Sequence, residues 1–175
     1  MHINFEFKAT HVSITSAEEK LLQHSPLFAG EDHQVDTYFN IPNGRLKLRE
    51  GTIEHALIFY QRTNTAGAKQ SNVTLYQHKP DAALKMILAQ SLGIKAVVDK
   101  KRKIYFIDNV KFHFDHVEEL GTFVEVEAID ADGSIGIEKL QEQCRFYQQL
   151  LGVRDTDFIA ESYSDLLLAK KSSFT

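Results

Sequence analysis

The chain has 175 residues, 43% of them apolar and 25% charged, with a formal net charge of -4 at pH 7. That is length enough for a sizeable core in an ordinary soluble composition. The negative balance supplies no overall field for DNA or another polyanion, so phosphate binding would need a local concentration of Lys and Arg. Cys144 is the lone cysteine, which excludes a disulfide framework and a cysteine zinc site. No apolar run has the length of a membrane span, and the N-terminus lacks the basic and apolar regions of a signal peptide. A cytoplasmic protein with no membrane or DNA partner is the expectation.

In chain order, residues 2–11 come first. Ile3, Phe5 and Phe7 face one way and Asn4, Glu6 and Lys8 the other, the pattern of a half-buried strand. Ser16 and Glu19 have capping-box spacing and predict a helix over about 17–24. Strands follow at about 34–40, 45–51 and 55–63, with Pro42-Asn43-Gly44 as a turn and Glu50-Gly51 leading into the third. A polar loop over about 63–71 precedes a strand over about 71–79. Asp81 can cap a helix that ends before Gly93. Strands at about 95–107, 110–117 and 121–130 come next, with Asp108-Asn109 as a two-residue hairpin turn. The longest helix spans about 134–151, with an apolar stripe of Ile137, Leu140, Cys144, Tyr147 and Leu151 and a stop at Gly152. That stripe assigns Cys144 to packing. A last helix covers about 161–170. Eight hairpin-joined strands must hide their edges, and closure does so. The expected fold is α+β: an antiparallel eight-stranded closed β-barrel with helices packed outside.

The charged faces recur. Arg45, Lys47 and Arg49 oppose Leu46 and Leu48; Lys111, His113 and Asp115 oppose Phe112 and Phe114; Glu125 and Glu127 oppose Val124 and Val126. One reading is an antiparallel sheet with a solvated side. The other is a barrel lumen, where charges need partners. The acids cluster on some strands and the bases on others, unlike an interspersed solubilising surface. Three bases on alternate positions repel one another unless an anion lies between them, so trimming Arg49 is expected to relax the empty protein. Carboxylates suit Mg²⁺ or Mn²⁺, Arg and Lys suit phosphate oxygens, and a metal-bound polyphosphate satisfies both sets. Patterning alone leaves the two readings open. His113 is read as a hydrogen-bonded wall residue in preference to a general base. Tyr38 and Tyr163 are read as packing, and the remaining histidines as surface.

Several segments carry a resemblance: "NFEFK" (4–8), "DTYF" (36–39), "GRLKLRE" (44–50), "YQR" and "GAKQS" (60–62 and 67–71), "VVDKKR" (97–102), "FHFDHVEELGTFVEVEA" (112–128) and "ESYSDLL" (161–167). In this order they resemble the CYTH family, or triphosphate tunnel metalloenzymes, which includes class IV adenylate cyclases, thiamine triphosphatases and inorganic triphosphatases. The cyclase-like branch is the most similar. The resemblance implies one domain over residues 1–175, a closed eight-stranded tunnel, and a Mg²⁺ or Mn²⁺ cofactor. It places Glu6, Glu125 and Glu127 at metal positions and Asp115 at an acidic position near the metal. Lys8, Lys47, Arg49, Lys100 and Arg102 fall at triphosphate positions. Arg62 and Lys69 join them from a loop that varies among relatives, and Arg45 by alternation. Lys8, Arg49 and Asp115 are the expected catalytic residues. Asn4 departs from the family pattern, replacing the first Glu of the strand and bringing a carbonyl oxygen without charge; Gln61 stands where many relatives carry Lys. The implied activity is conversion of ATP to cyclic AMP and pyrophosphate. The alternatives are a triphosphatase and a non-catalytic polyphosphate or nucleotide binder. The implied partner is a triphosphate-containing small molecule, ATP first, with a homodimer left open.

Overall fold

Two-faced strands with no solvated side available to them close on themselves. The computed structural model describes residues 2–10 and 13–173. In chain order these form β1 (His2–Thr10), α1 (Ile14–Leu22), β2 (Leu27–Phe39), β3 (Arg45–Glu50), β4 (His55–Arg62), β5 (Lys69–Gln77), α2 (Ala82–Leu92), β6 (Ile94–Ile107), β7 (Val110–Val117), β8 (Gly121–Asp130), α3 (Ile137–Leu151) and α4 (Tyr163–Ser172). The strands run β1-β5-β4-β3-β2-β6-β7-β8 around a closed barrel, and β8 pairs back onto β1. All neighbours are antiparallel. The expected barrel and its external helices are therefore present.

On β1, β7 and β8 the aliphatic and aromatic faces point outward, whereas on β4 and β5 Ala56, Ile58, Tyr60 and Val73 face the cavity. Phe7, Phe112, Val124 and Val126 pack with Leu140, Cys144 and Leu151 of α3 and Leu21 of α1 in one buried cluster. Full burial of such side chains contributes about 1.5–3 kcal/mol each. Cys144 belongs to this packing and donates its thiol to the Phe5 carbonyl at 3.0 Å. Because that face is occupied by helices, the alternate residues must point into the barrel. Gly152 ends α3 in the left-handed conformation, φ 73°, which glycine adopts without a Cβ clash.

Several boundaries differ from the sequence reading. The first helix is capped by Ser13, whose hydroxyl accepts the Ser16 N–H at 3.2 Å. Ser16 is therefore a residue of the first turn rather than the cap, and the helix starts earlier than predicted. β2 begins at Leu27, because Gly30 (φ 128°) and a register shift between Phe28 and Gly30 interrupt the alternation without ending the pairing with β6. β5 starts at Lys69, which pairs with Glu6 across the sheet. Glycine at 136 delays α3. The predicted extension of the first strand to residue 11 lies outside the described residues.

After α3 the chain returns to the barrel. Phe158 bridges to Ala9, the Ile159 N–H donates to the Lys8 carbonyl at 2.9 Å, and a Ser162–Asp165 capping box starts α4. This segment lies against the Lys8 end of the barrel. Among the described residues no helix is long and apolar enough to cross a membrane.

Candidate active site

The barrel encloses a cavity of about 810 Å³ whose lining includes Glu6, Lys8, Lys47, Arg49, Arg62, Lys100, Arg102, Glu125 and Glu127. One wall is acidic. In the β1–β8 register Glu6 lies opposite Glu127 and Lys8 opposite Glu125, and His113 on β7 lies opposite Glu125. The other wall is basic, with Lys47 and Arg49 on β3 and Lys100 and Arg102 on β6. β2 runs between those two strands and contributes Asp36.

Asp36 is only 1% exposed. It accepts from Arg49 through Nε at 2.9 Å and Nη2 at 3.0 Å, from Lys47 at 3.0 Å and from Lys100 at 2.6 Å. Burial raises its pKa, but Arg49, Lys100 and Lys47 outweigh burial and hold the carboxyl well below its ordinary value. The anion needed between the bases is thus built into the protein. The pairing reverses the reasoning about Arg49: trimming it should destabilise the empty barrel, because Arg49 neutralises Asp36 and Glu54. Lys100 is pushed down to about 7 by burial, with Arg49 and Arg102 adding to burial and Asp36 opposing it.

Arg102 is held in the same way. Its Nε donates to Asp115 Oδ1 at 2.6 Å, and its Nη2 donates to Asp115 Oδ2 and, at 2.6 Å, to Glu125 Oε2. The Tyr163 hydroxyl also donates to Asp115, at 2.7 Å. Asp115 is fully buried and is absent from the cavity wall, so it positions a guanidinium from behind. Of the eight side chains expected inside, Glu6, Lys8, Lys47, Arg49, Arg102, Glu125 and Glu127 line the cavity, and Asp115 does not. Arg45 and Lys69 are not brought to this cavity: Arg45 donates to Asp165 and Asn64, both at 2.8 Å, and Lys69 donates to the Thr65 and Ala160 carbonyls. Arg62 lines the cavity and pairs with Glu6, while Gln61 is exposed on the outer face.

The acidic wall crowds carboxylates together. Burial, Glu6 and Glu125 push the Glu127 carboxyl up to about 7. Burial also acts on Glu125, but Lys8 and Arg102 outweigh it and hold that carboxyl low. His113, Glu125 and Glu127 each present a ligand atom within 4.8 Å of the others. His113 is buried and lowered to about 3, chiefly by desolvation and then by Arg102. A neutral imidazole facing the Glu125 carboxylate at 3.3 Å donates from Nδ1, so His113 orients Glu125. Its Nε2, and the Asn4 Oδ1 beside this wall, are buried without a hydrogen-bond partner. Crowded carboxylates with an orphaned amide oxygen are a donor set that fits a hard divalent cation.

Sequence reasoning missed Asp36 as the brace of the basic wall and Glu54 as a cavity residue, and it placed Lys111 on the inner face without giving it a role. Asp36 had a signal, since it heads "DTYF" at the strand that parts the two basic strands. Lys111 shares its alternation with Asp115. Glu54 had none, because it precedes β4. Three histidines expected at the surface are not simply there: His2, His55 and His78 line the cavity where β1 and β4 begin and β5 ends, while His24, His33 and His116 are exposed as expected.

A closed antiparallel barrel with opposed acidic and basic inner walls defines a charged-tunnel protein. The family model of the CYTH domain matches residues 2–163, and the chain belongs to that family. Solved structures share the fold. The PH1012 protein of Pyrococcus horikoshii OT3 is 22% identical, with a TM-score of 0.76 over 95% of this chain and 99% of that one. A candidate adenylate cyclase from Vibrio parahaemolyticus is 18% identical, with a TM-score of 0.74 over 94% and 97%. A candidate adenylyl cyclase from Hippeastrum with a dominant triphosphatase activity is 13% identical, with a TM-score of 0.60 over 98% and 96%. No curated protein matches this sequence.

Proposed function

We propose that the chain is a single CYTH domain over residues 1–175 that acts on a triphosphate compound with Mg²⁺ or Mn²⁺, as a class IV adenylate cyclase-like enzyme converting ATP to cyclic AMP and pyrophosphate. One observation carries the reading: Lys47, Arg49, Lys100 and Arg102 line a cavity while Asp36 and Asp115 brace them from outside it. The bases are thereby fixed before substrate arrives, and fixed dipoles and charges need no reorganisation during reaction. A volume near 810 Å³ suits a nucleotide-sized ligand.

In this reading Lys47, Arg49, Lys100 and Arg102 bind the phosphate chain, with Arg62 and Lys8 at the Glu6 and Glu125 end. Glu6, Glu125 and Glu127 hold the cation, and His113 keeps Glu125 oriented toward it. When bound, the cation supplies positive charge against the phosphate oxygens. The ribose 3′-oxygen bonds to the α-phosphorus as the bond to pyrophosphate breaks, and the hydroxyl proton leaves to solvent. Lys8 and Arg49 stabilise charge on the departing group, and Asp115 serves by holding Arg102.

A second reading is hydrolysis at the γ-phosphorus, which uses the same charged walls with water as nucleophile. The dominant triphosphatase activity of the Hippeastrum relative favours keeping it. Product analysis after incubation with ATP, thiamine triphosphate and inorganic triphosphate, with each metal, separates the two. Cyclic AMP supports the first, and orthophosphate the second. Affinity without turnover would make the protein a binder, and no affinity for any of the three would end the triphosphate reading.

A further inference from the structure

The loop between β3 and β4 carries a carboxylate that differs from the other acids of the basic wall. Asp36 and Asp115 stand behind their cations and do not line the cavity. Glu54 stands in front. It lines the cavity, and its Oε2 accepts from Arg49 Nη1 at 2.8 Å and from Gln34 Nε2 at 3.0 Å. Its Oε1 accepts from Lys111. Bridging a guanidinium, an ammonium and an amide is what two oxygens of a phosphate group would do in that place.

The loop is built to hold this side chain. Buried Asp32 accepts from the Thr52 N–H at 2.6 Å, the Thr52 hydroxyl at 2.9 Å, the Ile53 N–H at 2.9 Å and the Glu54 N–H at 3.0 Å. A Cβ at Gly51 would meet both Asp32 carboxylate oxygens and the Glu54 carbonyl at 2.7 Å, so only glycine permits the approach. Burial raises the Glu54 pKa, but Lys111 and Arg49 outweigh burial and keep the group charged.

We propose that Glu54 is a specificity-determining residue that occupies the last phosphate subsite of the basic wall, between Arg49 and Lys111, and so limits the length of phosphate chain the tunnel accepts. The inference rests on the triphosphate reading of the same cavity. A chain running along Lys100, Lys47 and Arg49 meets a fixed negative charge at Glu54. A further phosphate group must displace a carboxylate whose backbone is clamped by Asp32. Without Glu54, Arg49 and Lys111 present an open, cationic position continuous with the wall.

The test is a chain-length series: inorganic pyrophosphate, tripolyphosphate and tetrapolyphosphate, measured by calorimetry at fixed ionic strength and fixed Mg²⁺. In the wild type, affinity should rise from pyrophosphate to tripolyphosphate and then change less than about twofold. In Glu54→Gln, which keeps the side chain's shape, tetrapolyphosphate should bind tenfold or more tightly than tripolyphosphate. Glu54→Gln with Lys111→Met should lose that gain, which separates a vacated subsite from a general loss of negative charge. Glu54→Asp keeps the charge on a shorter arm and should give an intermediate series if the amide variant does not fold. A uniform gain across all three chains, or an unchanged plateau in Glu54→Gln, overturns the proposal. Failure of the wild type to bind any of the three instead overturns the triphosphate reading itself.

Discussion

Replacing Asp36 by Asn tests whether the basic wall is braced by an internal anion. The amide fills the same volume but removes the charge that four hydrogen bonds from Lys47, Arg49 and Lys100 converge upon. Removing one partner from a buried ion pair costs about 3–5 kcal/mol, because the remaining charge is left uncompensated. Among the described residues Asp36 is the one carboxylate paired with Lys47 and Lys100, but Arg49 retains Glu54, which puts the expectation at the lower end of that range, about 3 kcal/mol. In a chain of this size each kcal/mol moves the melting temperature by about 2–4 °C, giving a fall of about 6–12 °C at pH 7. The variant is then the cluster of like charges that the wild type avoids being. Inorganic tripolyphosphate should bind it more tightly than it binds the wild type. A ligand at about 100 times its Kd adds about 2.7 kcal/mol to the folded state, so saturating tripolyphosphate should close most of the gap. Thermal melts with and without tripolyphosphate at constant ionic strength read both quantities. A fall under about 3 °C, or a gap that tripolyphosphate leaves unchanged, would refute the bracing argument.

Arg49→Ala should lower the melting temperature of the empty protein, since Asp36 and Glu54 each lose a cation, and should flatten the stabilisation series triphosphate over pyrophosphate over phosphate; a higher melting temperature would contradict the pairing. Glu127→Gln should leave stability equal or higher, because it relieves repulsion from Glu6 and Glu125, yet cut Mg²⁺- or Mn²⁺-dependent turnover at least tenfold; full turnover in the variant, or in wild type with excess chelator, removes the metal role. Lys100 titrates near 7 when folded, against 10.5 for an unperturbed lysine, so between those values the unfolded chain binds more protons and stability rises with pH. The slope of unfolding free energy against pH from 7 to 10.5 should therefore be steeper in wild type than in Lys100→Met, and equal slopes would show that Lys100 keeps its ordinary pKa.

The barrel was legible because its evidence is periodic. Each strand needed one buried face, and eight such strands offered nowhere to put their edges except against each other. The inward set was legible for the same reason: once Phe5 and Phe7 face the helices, Glu6 and Lys8 face the lumen. What alternation cannot express is depth. Asp115 and Glu125 both point inward, yet Asp115 lies behind Arg102 while Glu125 meets the cavity, and that depends on the three-dimensional placement of a guanidinium and of Tyr163 from a distant helix. Arg45 obeys the alternation of Lys47 and still leaves the site, because Asp165 at the start of α4 claims it. Glu54 lies on a loop, where no period applies, and its position is set by Asp32 and Gly51. The start of β2 was hidden by a glycine bulge that a strand tolerates but a pattern does not.

The paired interior is compatible with the proposed polyanion site in a chain of net charge -4, without a field that gathers nucleic acid. Every cation named on the basic wall already faces a carboxylate, so the long-range potential of the tunnel is small and a monovalent anion gains little by displacing one contact. On the proposed reading a triphosphate would differ because it would meet several fixed cations at once, and a divalent cation on the Glu6, Glu125 and Glu127 wall would cancel the repulsion it would otherwise feel there. Discrimination then follows from valence and spacing rather than from net attraction. Its sharpness depends on the braces: a cation free to swing could follow any anion, whereas Lys100 on Asp36 and Arg102 on Asp115 can accept only oxygens that arrive where the strands have already placed them.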